Sequence, residues 1–407
     1  MTERPTRPES PLVPLHMRRD RLDPAPELAC FRERGEVPYV ENEAFELDAF
    51  VVTRYEEVRE VFGDAERFGN SADFSARRGD TAHMAEGEHA RLRVGQLLAQ
   101  DPPEHTRLRR MLTKEFGQAR IRRLAPRITE IVDAQLDAMA AAGPPSDLMT
   151  EFAIPIPSLV ICELLGVPYA DRDEFQARSH RILDTTLEPH EHVKIQRETR
   201  GYMSELVERA RREPRDDLLG MLVSEHGGEM TRHELANLGA LLLTAGHDTT
   251  SSMLGLSLVA LLDHPEQLAL IRDDPAAVRP AVEELLRYLS IVHSGMPRVA
   301  LTDTEVAGVA IPEGTIVLCS LSTANRDPRH IEDPDRFDVR RGSPRHLAFG
   351  HGIHHCLGAP LARMEMETAL PALLRRFPGL AHAGRPDEVP FRGHHVNYAP
   401  WALPVTW

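Results

Sequence analysis

Hydrophobic positions along this chain recur mostly at helical spacing. In ITEIVDAQLDAMAAA (128–142) the residues Ile128, Ile131, Val132, Leu136 and Met139 fall close to one face, and Gly143-Pro144 predicts the stop. IPSLVICELLGVP (156–168) reads as a short apolar helix ended by Gly166 and Pro168. The longest pattern begins at Thr231, which with Glu234 has capping-box spacing. The run that follows, LANLGALLLTAGHDTTSSMLGLSLVALLDHP, is apolar on nearly every side and continues to Pro265. A helix over 231–263 would extend roughly 50 Å and would be buried through the middle of the protein.

Strand patterns are fewer and shorter. TEVAGVAIPEGTIVLCSL (304–321) predicts two short strands around a Pro-Glu-Gly turn, and VPYV (37–40) with AFVVT (49–53) predicts a hairpin. The expected fold class is mainly α with a minor β portion. No repeat or low-complexity linker divides the chain.

Composition narrows the function classes. The 407 residues are 42% hydrophobic and 27% charged, as in an ordinary globular protein with a sizeable core. A formal net charge of -15 argues against a nucleic-acid partner. Cys30, Cys162, Cys319 and Cys356 lie far apart and form no CxxC pair, which fits a reducing cytoplasm rather than a disulfide framework. The start, MTERPTRPESPLVPLHMRRD, is Pro- and Arg-rich with no apolar run. Residues 1–23 are therefore expected as a flexible tail and 24–407 as a single domain. No apolar stretch reaches bilayer-spanning length, so no membrane association is expected.

Four segments carry candidate chemistry. AGHDTT (245–250) sits in the middle of the buried helix, where Asp248, Thr249 and Thr250 need partners and Gly246 weakens the helix. Either the hydroxyls bond back to the preceding turn, or a ligand groove lies there with a carboxylate and a hydroxyl handling protons. In EELLR, Glu284 and Arg287 share a helix face, which alone reads as a surface ion pair. DPDRFD (333–338) adds Arg336, and DPPEHTRLRR (101–110) places His105 and Arg109 one turn apart, able to grip one anion or simply to form a solvated basic face. FGHGIHHCLG (349–358) puts Cys356 just before a helix with Pro360 in its first turn, where backbone N–H groups favour a thiolate. Its glycines allow close approach to a flat partner. A zinc site from His351, His354, His355 and Cys356 competes, although zinc sites usually draw on separated pairs.

Together, and in this order, these segments resemble the cytochrome P-450 family of haem-thiolate monooxygenases, from about residue 24 onwards. Phe349, Gly350, Gly352, His354, Cys356 and Gly358 match the family's haem-binding loop; Ala245, Gly246, Asp248 and Thr249 match its central helix; Glu284, Arg287 and Arg336 match its ion triad. The style is similar to soluble actinobacterial members that tailor natural products. The resemblance implies haem b, iron protoporphyrin IX, with Cys356 as the iron ligand. His105, Arg109, Arg298 and His354 would bind the haem carboxylates, and Phe349, Gly358 and Gly246 would shape the cofactor site. Thr249 would hydrogen-bond dioxygen and Asp248 would relay protons.

It further implies hydroxylation or epoxidation with electrons from NAD(P)H, through a separate ferredoxin and ferredoxin reductase. Arg107, Arg109, Arg110, Lys114, Arg120, Arg122, Arg123 and Arg127 form a candidate dock for an acidic ferredoxin. Substrate contacts are expected at roughly 71–98, 173–195, 238–249, 291–297 and 393–398, with Leu242, Val292, His293, Met296 and Val396 named first. Polar residues in HMAEGEHARLR, IVHSGMP and GHHVNY suggest an oxygenated macrolide, polyene or similar natural product. The alternatives are a non-enzymatic haem-thiolate sensor, against which the Asp248–Thr249 pair argues, and a peroxide-driven enzyme.

Overall fold

The helix expected from Thr231 runs Arg232–Asp263 without a break in the computed structural model, which describes residues 13–41, 48–71, 84–342 and 344–407. Thr231 Oγ1 accepts from the Glu234 amide at 3.2 Å, and Glu234 Oε2 accepts from the Thr231 amide at 2.7 Å. This reciprocal cap satisfies N–H groups that a helix start otherwise leaves without partners. The helix packs on Pro155–Leu165, Pro189–Arg212 and Ala359–Arg376, and most of its length is buried. Asn237 ties a distant segment to it: its side-chain amide donates to the carbonyls of Arg91 (2.8 Å) and Val94 (2.7 Å) around the short helix Glu88–Arg93.

Helices dominate and strands are short, as the hydrophobic pattern predicts. The expected helix at 156–168 forms as Pro155–Leu165, closed by Gly166 at φ +75°. The helix expected at 128–142 starts earlier, at Gln118, and carries Pro126 inside. Its first turns are mostly basic and bury only Ile121, so apolar spacing does not mark them. Tyr39–Val40 and Ala49–Val52 pair antiparallel as expected. The later strands differ. Thr304–Val306 and Val309–Ile311 form a hairpin around Ala307-Gly308, whereas Ile316–Cys319 leaves it and runs parallel to Ala49–Val52. Ile316–Cys319 is buried throughout, which a two-residue alternation could not have placed at a hairpin edge.

Residues 13–23, expected within a flexible tail, pack firmly; residues 1–12 lie outside the described residues. Met17 and Leu22 are buried, and Arg19 donates to the carbonyls of Leu289 and Ser290 while lying over the Tyr398 ring. Asp23 meets the buried Arg326.

Glu284 and Arg287 are no surface pair. They are 0% and 1% exposed and joined by two bonds of 2.7 and 2.8 Å. The third cation is Arg341, not Arg336. Arg341 Nε reaches Glu284 Oε1 at 3.2 Å, while the Arg336 side chain is 64% exposed beside Asp338 and only its carbonyl joins the network. Arg336 follows a turn at Asp333-Pro334 that points it outward, and the five-residue step to Arg341 returns the chain to the carboxylate. Arg287 also donates to the Asn325 carbonyl (3.0 Å), and Asn325 Oδ1 accepts from the Leu347 amide (2.7 Å). The network thus anchors the start of the cysteine loop. In urea unfolding, Arg341→Ala is expected to cost about 2–4 kcal/mol, because a buried carboxylate loses a partner. Arg336→Ala should cost less than about 0.5 kcal/mol; comparable losses for the two would return Arg336 to the network.

Candidate active site

The cysteine loop is held from both ends. The Gly350 amide donates to the Leu347 carbonyl and the Cys356 amide to the Phe349 carbonyl, each at 2.8 Å. Gly352 sits at φ +70°, and a Cβ there would collide with the Phe62 carbonyl, so only glycine fits. Helix Ala359–Arg376 starts three residues after Cys356. Burial pushes the Cys356 thiol up. The amides of Gly358 and Ala359, with Arg109 and Arg363, pull it down but do not offset the burial. The helix start thus acts in the expected direction and is outweighed. A thiolate here needs a cation bonded to it, as a metal ion provides. The residue is exposed on its loop. Among the described residues no three His, Cys, Asp or Glu side chains converge to hold an ion, so the loop offers a single protein ligand and no zinc set. A Cβ at Gly358 would stand 4.0 Å from the sulfur.

Beside the thiol lies a group of nitrogen donors short of anions. The rings of His105 and His354 are 4.2 Å apart, and none of their four ring nitrogens has a hydrogen-bond partner. Burial lowers both imidazoles, His354 to about 3. Arg298 is buried over the Phe62 ring, and burial pushes both Arg298 and Arg109 down. Among the described residues neither guanidinium makes a salt bridge. The nearby Asp101 is engaged by the amides of Asn70 (2.8 Å) and Ser71 (2.9 Å). Orphaned buried donors carry a free-energy penalty unless a partner arrives. The set fits a flat ligand that brings two carboxylates and a metal for Cys356, which is the description of haem.

The central helix changes character midway along its length. Ala245 is exposed in the midst of a buried helix, and Thr249 follows one turn later on the same face. Thr249 Oγ1 donates to the Ala245 carbonyl at 2.7 Å, so the back-bonding alternative holds for this hydroxyl. Gly246 has a packing reason: a Cβ would stand 2.6 Å from Ile161 Cδ1 on helix Pro155–Leu165. Asp248 faces away from Thr249 and is 2% exposed. Its Oδ2 accepts from the Asn397 side chain at 2.7 Å, and Arg392 stands 3.7 Å from Oδ1. The acid and the alcohol therefore occupy different sides of the helix.

The expected substrate contacts divide. Leu242 shares the face of Ala245 and Thr249, and Val292, Met296 and Val396 are partly exposed on two turns joined by the Val292–Asn397 bridge. His293 does not join them. It is buried, with Nδ1 against the Met17 carbonyl (2.9 Å) and Nε2 against the His395 carbonyl (2.6 Å), so it bolts the N-terminal segment to the C-terminal turn. His395 and Asn397 also turn inward, toward Asp248. A buried acid in a central helix obliges polar partners elsewhere, and that obligation was the signal for Arg392, His395 and Asn397. Residues 72–83, including His83, lie outside the described residues; Glu88 of the same stretch is bound by Arg197.

The basic run is thinner than its sequence suggests. Arg107 pairs with Glu104 and Glu234, Arg120 with Glu115 and Asp216, and Arg127 with Glu130 and Glu163. Lys114 stands 3.8 Å from Glu225, and Arg109 turns toward the thiol. Exposed Arg110, Arg122 and Arg123 remain without a carboxylate partner among the described residues.

Residues 180–281 and 276–393 match the family model for cytochrome P450. The chain is 48% identical over 396 residues to cytochrome P450 FAS1 of Rhodococcoides fascians, covering 97% of this chain and 98% of that protein. It resembles the solved structure of P450 StaH from glycopeptide antibiotic A47934 biosynthesis, with 42% identity, a TM-score of 0.85 and coverage of 97% and 100%. It also resembles CYP105P1 in complex with filipin I, with 39% identity, a TM-score of 0.89 and coverage of 98% and 99%. No single helix among the described residues is long and apolar enough to cross a membrane. With a thiol loop, a group of carboxylate-seeking donors near it, and likeness over nearly its whole length, this chain belongs to the cytochrome P450 family of monooxygenases.

Proposed function

We propose that the chain hydroxylates or epoxidises a natural product of macrolide, polyene or similar type, in the cytoplasm. Dioxygen is the oxygen source, and NAD(P)H electrons arrive through a ferredoxin and its reductase. The observation that carries the reading is the nearness of the Cys356 thiol to orphaned His105 and His354 and to Arg109 and Arg298, which have no carboxylate partner among the described residues. Cys356 would hold the iron of haem b, and these four residues its carboxylates. Bound haem supplies dioxygen activation and the redox chemistry. The protein supplies the rest. Thr249 presents a hydroxyl whose proton is committed to Ala245, so its lone pairs point outward as acceptors and its orientation is fixed. Asp248 holds and releases a proton from the far side of the same turn. Leu242, Val292, Met296 and Val396 offer an apolar wall to the substrate. The antibiotic-biosynthesis and filipin-bound relatives support a natural-product substrate. The exposed cluster of Arg110, Arg122 and Arg123 supports an acidic ferredoxin.

Macrolides and polyenes are expected to shift the haem absorption spectrum on titration; a response to small hydrocarbons alone contradicts the substrate class. With a ligand that shifts the spectrum, Thr249→Ala should keep NAD(P)H oxidation but lower product per NAD(P)H about tenfold, with hydrogen peroxide making up the difference. Reversing Arg110 and Arg123 to Glu should raise the KM for ferredoxin by about tenfold and steepen with falling ionic strength, leaving haem content unchanged. An unaltered KM removes this surface from the dock.

A further inference from the structure

Resting on the reading of Val292, Met296 and Val396 as substrate wall, we propose that Arg19 and His16 are specificity-determining positioning residues, through which the N-terminal segment fixes where that wall stands. Two short turns carry the wall. Residues 291–297 hold Val292 and Met296 and lead directly into Arg298, one of the donors assigned to the cofactor. Residues 395–398 hold Val396. Along both turns the partly exposed wall residues alternate with buried His293, Gly295, His395 and Asn397, as in an extended chain with one packed face. The turns meet through the antiparallel Val292–Asn397 bridge and through the Tyr398 amide, which donates to the Ile291 carbonyl at 2.8 Å. The first turn is not at ease by itself. Ser290 and Met296, which bracket it, lie at φ +41° and +38°, a region that residues with side chains rarely adopt. Such backbone persists only where its surroundings over-determine it.

The N-terminal segment supplies those surroundings. Arg19 donates to the carbonyls of Leu289 (2.7 Å) and Ser290 (2.5 Å), where the first turn begins, and its guanidinium lies 4.8 Å over the ring of Tyr398, where the second ends. One side chain therefore spans both turns. The buried His16 ring is hydrogen-bonded to the Ser294 backbone, and a Cβ at Gly295 would stand 3.2 Å from His16 Cδ2. On the other side the Cys319 amide donates to the Gly295 carbonyl at 2.5 Å. Gly295, the residue before Met296, is thus gripped between the N-terminal segment and the strand Ile316–Cys319. The His293 ring is held between the Met17 carbonyl (2.9 Å) and the His395 carbonyl (2.6 Å). The segment is itself anchored. Arg19–Asp20 pairs with Asp23–Pro24, the Leu22 carbonyl accepts from Arg326 at 3.0 Å, and Asp23 pairs with the same guanidinium. These contacts land on backbone and on residues next to the wall, so Arg19 and His16 act on a ligand through Val292, Met296 and Val396. A small shift of such a supporting layer changes how well a bulky ligand fits.

The test titrates the haem-loaded enzyme with two iron ligands, followed by absorption. Imidazole is too small to reach the wall. Clotrimazole binds iron through the same kind of nitrogen but carries three aromatic rings that must fit against it. Arg19→Ala should weaken clotrimazole about tenfold, with imidazole affinity and the carbon monoxide spectrum unchanged. Arg19→Lys keeps a cation and a donor for the two carbonyls and should recover most of the loss. His16→Ala should move clotrimazole the same way, and it decides the matter if Arg19→Ala fails to load haem. A segment that serves stability alone lowers the melting temperature and leaves the ratio of the two affinities at the parent value. That result for Arg19→Ala and His16→Ala, with Met296→Ala or Val396→Ala altering the ratio, overturns the positioning role and leaves the wall standing. If the wall variants alter nothing either, the underlying reading fails and the proposal with it.

Discussion

The interior of this protein is arranged around unbalanced charge. Two guanidiniums and two imidazoles gather together, with Arg109 beside the Cys356 thiol, and the nearby acid, Asp101, is already engaged by backbone amides. Such an arrangement is unfavourable on its own. It becomes favourable once a ligand brings carboxylates to the nitrogens and a metal to the sulfur. The cysteine loop and the helix behind it hold the one thiol near these donors. The Glu284–Arg287–Arg341 network matters because it fixes the strand of chain leading into that loop through Asn325 and Leu347.

The central helix divides labour between its two sides. One face carries Leu242, the exposed Ala245 and Thr249. The other sends Asp248 into a polar pocket built by the C-terminal turn. A buried carboxylate survives there because Asn397 and Arg392 meet it. Gly246 permits the close approach of Ile161 that keeps the helix seated at this level. Asp248 and Thr249, adjacent in sequence, are therefore held by different parts of the chain.

Much of this was legible in the residues. The capped central helix and the helical dominance follow from spacing and helix signals, and family likeness singled out Cys356, His105, Arg109, Arg298 and His354. What could not be read were facts of tertiary direction. Arg336 and Arg341 are equally plausible as partners of Glu284 until the turn at Asp333-Pro334 points one outward. His293 and His395 look like polar substrate contacts until their rings are seen bonded to backbone carbonyls. Residues 13–23 look like a tail because their anchors are backbone carbonyls more than 250 residues away, which no local pattern encodes.

The central claim is that Cys356 is the haem-iron ligand. The direct measurement is the carbon monoxide difference spectrum of the reduced protein, taken for the parent and for Cys356→Ser at equal haem content. A thiolate-type band in the parent, absent from the variant, is the predicted result. Persistence of that band in Cys356→Ser, or its absence from the parent, contradicts the account.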